Sequence, residues 1–167
     1  MSKLAFRIEG IAFWSPTLPG WPIARAAFRG EADAVDPPAK RPAPEILPPA
    51  ERRRAPDSVA LALEVASAAM ADAGRQGQSL PSVFTSAHGD LAVNDYMCTT
   101  LASQPTLISP TRFHNSVHNA SAGYWTMGTG CMAASSALTA CWLCATSATM
   151  SQRFFSPGSS SMVASSK

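Results

Sequence analysis

The chain has 167 residues, which is enough for one domain with a hydrophobic core. Hydrophobic residues make up 46% of it and charged residues only 14%, so we expect an α/β or α-rich domain with apolar surface available to a partner. The net charge of +2 excludes the strongly basic balance typical of nucleic-acid-binding proteins. No apolar run approaches the roughly 18 residues that a membrane span requires.

The N-terminal residues and the cysteines bear on the cellular compartment in which the protein is expected. The first ten residues, MSKLAFRIEG, contain an early lysine, but Glu9 interrupts them and no long apolar region follows, so they do not predict a secretory signal. We therefore expect a cytoplasmic protein with reduced thiols. The thiols concerned are those of Cys98, Cys131, Cys141 and Cys144.

The N-terminal third of the chain is rich first in β-forming residues and then in proline. Residues Leu4 to Pro16 predict a strand that runs into a turn. Six prolines between Asp33 and Ala50 predict an extended surface connector without regular structure. Three arginines at 52–54 complete this Pro-rich, basic connector, which we assign to residues 33–55. The arginines form either a solvated loop or a docking point for an acidic partner.

A helix pattern follows the connector. The segment PDSVALALEVASAAMADAG begins with a possible cap at Asp57 or Ser58 and ends at Gly74, a typical residue just beyond a helix. Apolar residues at helical spacing predict the face that turns to the core. They are Val59, Leu63, Ala66 and Met70.

The next segments alternate strand and helix patterns. Residues 81–90, PSVFTSAHGD, predict a buried strand followed either by a polar site loop or by a capping turn. Residues 91–103, LAVNDYMCTTLAS, predict a second helix. This alternation indicates a layered α/β domain. The segment ASAGYWTM predicts a further helix, and residues 129–140, TGCMAASSALTA, predict a helix of small residues with Cys131 at its start.

Taken together, these segments resemble a known family. The stretches PPAERRRAPDSVALALEVASAAMADAG, SVFTSAHGD, SPTRFHNSVHNASAGYW and AASSALTA occur in the order found in the N-terminal half of β-ketoacyl synthase-like proteins. The nearest subgroup is the chain length factor type of aryl-polyene and fatty-acid-like pathways. The resemblance covers Leu4 to Ala140 and implies a partial thiolase-like α/β fold, with layered helices and a mixed sheet.

The resemblance also implies where a nucleophile would stand. Active members place a cysteine at the N-terminus of a helix, where free amides favour a thiolate and an oxyanion. Alignment on the small-residue motif puts Ala134 at that position and Cys131 three residues earlier, about 4.5 Å along a helix. Cys131 is therefore either a buried structural thiol or, with a different gap, the nucleophile.

Histidines and paired cysteines are further candidates. His114 and His118 are spaced to share a helix face, either in a polar network with Asn115 and Asn119 or as bases for Cys131. The family's catalytic histidines lie in its C-terminal half, whereas the three histidines here precede Cys131. A zinc or redox role for the Cys-x-x-Cys pair at 141 and 144 lacks a second ligand pair, so we expect no metal and no cofactor.

The favoured hypothesis is a non-catalytic subunit of the chain length factor type. It would pair with an active ketosynthase and so form a hetero- or homo-oligomer. In that pair it would shape the pocket for the growing acyl chain, which is held by an acyl carrier protein. One alternative is a cysteine-dependent 3-oxoacyl-ACP synthase, and another is a truncated or frameshifted, nonfunctional product. Residues 1–140 would form the synthase-like domain, and residues 141–167 a divergent, partly disordered tail that follows a reading-frame change or truncation.

Overall fold

A computed structural model describes residue 5, residues 7–76 and 79–139, and two short strands near the C-terminus. The described elements confirm the predicted α/β class, because helices alternate with a small parallel sheet. In chain order they are α1 (Trp21–Phe28), α2 (Pro49–Arg54), α3 (Asp57–Asp72), β1 (Ser82–Ser86), α4 (Leu91–Ser103), a 3-10 turn (Pro105–Leu107), α5 (Pro110–Asn115), α6 (Ala120–Thr129), β2 (Ser135–Thr139), β3 (Arg153–Phe154) and β4 (Met162–Val163).

Helix α3 is the predicted helix, but its N-terminus is formed differently. Pro56 occupies the N-cap position, and no side chain caps the first turn. Ser58 is inside the helix, and its hydroxyl donates to Asp90 instead. The C-terminus agrees with the prediction, since Gly74 follows Ala73 with a φ of 62°, a backbone conformation that glycine adopts without strain.

The core lies where α3 packs against α6. Val59 and Leu63 on α3 are buried against Tyr124 and Trp125 of α6, and Leu47 from the connector completes the cluster. Ala66 and Met70 also pack against it, so the predicted apolar face of α3 is confirmed. Residues three and four positions apart share one face of a helix. Burial of this apolar face therefore fixes the rotation of α3 about its own axis.

The sheet of the central region consists of β1 and β2, which pair in parallel. Ser82 lies opposite Ser135, and their hydroxyls are 2.9 Å apart. Phe84 turns toward Trp125, with ring centroids 6.3 Å apart, while Val83 is 58% exposed. The strand was predicted correctly, but the prediction that it is buried is wrong, because only one of its faces is covered.

Two further predictions are wrong at the ends of the described region. Residues 7–16 form no strand, although their composition favours one. The predicted helix from Cys131 is also absent, since residues 131–134 are irregular and Ser135–Thr139 is strand β2. Pairing with β1 overrides the local helix preference of these small residues. The expected tail at 141–167 lies outside the described residues, apart from the antiparallel strands β3 and β4.

The proline-rich connector contains more regular structure than predicted. Residues 33–48 are irregular, but α2 begins at Pro49 and carries the three arginines, so these do not form a loop. Arg52 donates to the Leu47 carbonyl at 3.0 Å, and Arg54 pairs with Glu51 at 3.1 Å. Proline is tolerated in the first turn of a helix because its missing N–H has no intrahelical acceptor there.

The N-terminal segment lies against the end of α3. Ile11 donates its backbone N–H to Asp72 at 2.9 Å, and Glu9 pairs with Arg75 at 2.7 Å. Between them, Gly10 is so close to α3 that an added Cβ would overlap the Ala69 carbonyl oxygen. The segment therefore packs on α3 through its backbone and two polar anchors.

Two glycines of α6 provide a matched test of the α6 packing. An added Cβ at Gly123 meets nothing within 4 Å, whereas at Gly128 it lies 3.0 Å from the Ile46 side chain and 3.1 Å from the Ile46 carbonyl oxygen. We expect Gly123→Ala to stabilise the protein by up to about 1 kcal/mol through helix propensity. Gly128→Ala should gain nothing or lose stability. Equal gains in chemical denaturation would contradict the contact with Ile46.

Candidate functional site

An open groove of about 700 Å³ lies between α3 and β1. Its α3 wall is a stripe of residues spaced three or four positions apart, which runs about 16 Å along the helix. The stripe consists of Ser58, Leu61, Ala62, Val65, Ala66 and Ala69. Apart from Ala66 and the neighbouring Val59, this stripe differs from the core-facing stripe, so α3 presents two apolar faces.

The opposite wall of the groove is formed by the small sheet. Four consecutive residues, Val83 to Ser86, line it. Leu138 of β2, which lies opposite Thr85, lines the groove as well. Along its other edge, β1 pairs with no strand of the described residues.

The polar end of the groove is built by the turn after β1. Asp90 caps α4, since one carboxylate oxygen accepts from the Val93 N–H at 2.9 Å. The other oxygen accepts from the Ser58 hydroxyl at 2.6 Å. The Ser86 hydroxyl oxygen accepts from the Gly89 N–H at 2.9 Å, and Gly89 has a φ of 66°. The alternative of a capping turn is therefore confirmed, and the same turn closes one end of the groove.

The structure separates the three histidines. His88 and His118 line the groove, whereas His114 lies on α5, is exposed, and is not among the lining residues. Helix α5 ends at Asn115 and α6 begins at Ala120, so His118 belongs to the turn between them. The prediction that His114 and His118 share a helix face is therefore wrong.

Asn115 forms a buried polar network with Tyr124 and the backbone of Arg54. It is only 5% exposed, its amide donates to the Arg54 carbonyl at 3.0 Å, and its oxygen accepts from the Tyr124 hydroxyl at 3.1 Å. Burial, and then the nearby Glu51 carboxylate, raises the pKa of Tyr124 above its usual value. Asn119 makes no capping hydrogen bond through its side chain. The network thus joins α2, α5 and α6.

Cys131 lies at the carbonyl end of a helix. It follows Gly130, the C-cap of α6, which has a left-handed φ of 68°. The thiol is buried and donates to the Leu80 carbonyl at 3.4 Å, while the Cys131 N–H donates to the Thr129 hydroxyl at 3.2 Å. Cys131 is not among the residues that line the groove with His88 and His118.

Comparison with known families identifies the domain. A family model for the β-ketoacyl synthase N-terminal domain matches residues 26–153, which is more than half of the chain. The chain belongs to the β-ketoacyl synthase family. This confirms the resemblance seen in the sequence. Neither curated proteins nor solved structures yield a match to the chain.

Ala134, the residue that the sequence resemblance predicts at the position of the nucleophile, has no reactive group. Ala134 stands directly before β2, and its carbonyl accepts from the Ser82 N–H at 3.0 Å. Its backbone therefore belongs to the start of the β1–β2 pairing, and no helix begins there. A helix N-terminus of the kind that activates a cysteine is absent at both Cys131 and Ala134.

The described residues also contain no cluster suited to a metal. No group of three or more His, Cys, Asp or Glu side chains comes together in them. Cys98 is exposed and Cys131 is buried, and both are free thiols. The Cys-x-x-Cys pair at 141 and 144 lies outside the described residues. Within the same limits, none of the helices is both long enough and apolar enough to cross a membrane.

Sequence reasoning missed the groove and the Tyr124 hydroxyl. The groove combines residues from α3, β1, the turn after β1, and the turn between α5 and α6, which are far apart in the chain. One signal was present: Ala62, Val65 and Ala69 form a second small, apolar stripe beside the core stripe of α3. A helix with two apolar faces predicts contacts on both sides.

Proposed function

We propose that this β-ketoacyl synthase domain is a non-catalytic subunit of the chain length factor type, which pairs with an active ketosynthase in fatty-acid or polyene and polyketide biosynthesis. The observation that carries the proposal is the position of Cys131, a buried thiol at the carbonyl end of α6. The pair would act on acyl chains attached to an acyl carrier protein, and this subunit would shape the space for the growing chain.

The environment of Cys131 supports a structural role. A condensing cysteine needs a thiolate, an open path for the thioester, and amide donors for the oxyanion. The Cys131 thiol donates a hydrogen bond to the Leu80 carbonyl, and helix α6 presents carbonyl groups at this end. Ala134, which the sequence resemblance predicts at the position of the nucleophile, offers only a methyl group.

The groove supports the proposed pairing. Val83, Val117 and Leu138 line it and are about half exposed, so apolar side chains of the groove face solvent. Asp90 is the acidic group in the lining, and hydrogen bonds already engage both of its oxygens. A largely uncharged apolar surface that faces solvent favours the docking of another polypeptide.

The test of pairing is co-purification of the affinity-tagged chain with the ketosynthase encoded nearest to its gene. We expect the two proteins in equal amounts by quantitative mass spectrometry. Val83→Glu should reduce recovery of the ketosynthase roughly tenfold or more, because the pair would bury a carboxylate without a partner. Leu101→Glu is the matched control, since Leu101 is 52% exposed on α4 and lies outside the groove.

The result would contradict the proposal in two cases. The first is that the unaltered chain fails to retain the ketosynthase. The second is that Val83→Glu and Leu101→Glu retain it equally well. Circular dichroism of both variants should match that of the unaltered chain, which separates a lost interface from a lost fold.

A further inference from the structure

We draw no further inference here: the strongest candidate, the open apolar groove between α3 and the sheet of β1 and β2, belongs to the surface already proposed for pairing, and nothing in the described residues shows what covers it.

Discussion

Replacement of Leu63 by alanine is expected to lower the free energy of unfolding by about 2–5 kcal/mol. Leu63 is fully buried on α3, where it packs in the cluster that includes Tyr124 and Trp125. The substitution removes apolar contacts and leaves a cavity that rigid neighbouring rings cannot fill. Urea unfolding followed by far-ultraviolet circular dichroism would measure the change.

Leu61→Ala is the matched control for this prediction. Leu61 lies two residues away on the same helix, but it lines the groove and is partly exposed. Because its truncation leaves no buried cavity, we expect the free energy of unfolding to fall by about 1 kcal/mol or less. If the two substitutions cost the same, the groove face of α3 must be covered in the isolated chain, which would contradict an open groove.

Asn115→Ala should lower the free energy of unfolding by about 1–3 kcal/mol. The change removes two hydrogen bonds and leaves the Tyr124 hydroxyl and the Arg54 carbonyl without their partner in a buried site. Asn119→Ala is the control, since the Asn119 side chain makes no capping bond, and we expect a change within about 0.5 kcal/mol.

A double-mutant cycle makes the Asn115 prediction specific. Tyr124→Phe removes only the hydroxyl that donates to Asn115. If the two groups interact as described, the combined variant should lose less stability than the sum of the two single variants. Strict additivity would show that Asn115 acts through packing and not through this hydrogen bond.

The sequence predicts helices α3, α4 and α6 because each combines a continuous helical pattern with clear boundaries. Asp90 caps α4 through its side chain, and Gly74 and Gly130 end α3 and α6 with positive φ. Here local preference and tertiary packing agree. The apolar stripe of α3 is found in the core for the same reason.

The predictions fail where local preference and tertiary context differ. Residues 4–16 carry β-forming residues, yet the described part of this segment is held on α3 by Gly10 and two polar anchors and forms no strand. Small residues at 135–139 favour a helix, but they pair with β1. Helices α1 and α2 are not predicted from the sequence, because each has a proline in its first turn, a residue that breaks a helix only at interior positions.

The candidate site could be predicted in part. Cys131, Ala134 and the three histidines were singled out by residue type and by the family resemblance. Their arrangement could not be predicted, because whether Cys131 begins a helix or follows one depends on the pairing of β2 with β1. The groove requires the turn between α5 and α6 to meet α3 and β1, and no local pattern encodes that contact.

We expect that Cys131 of this β-ketoacyl synthase domain is not acylated by a thioester substrate. The most direct test is incubation of the purified chain with an acyl N-acetylcysteamine thioester, followed by peptide mass mapping of all four cysteines. An active ketosynthase under the same conditions is the positive control, and Cys98→Ser removes the exposed thiol that could react nonspecifically. We expect no adduct on Cys131. A stable acyl adduct on Cys131 that is lost in Cys131→Ser would contradict it.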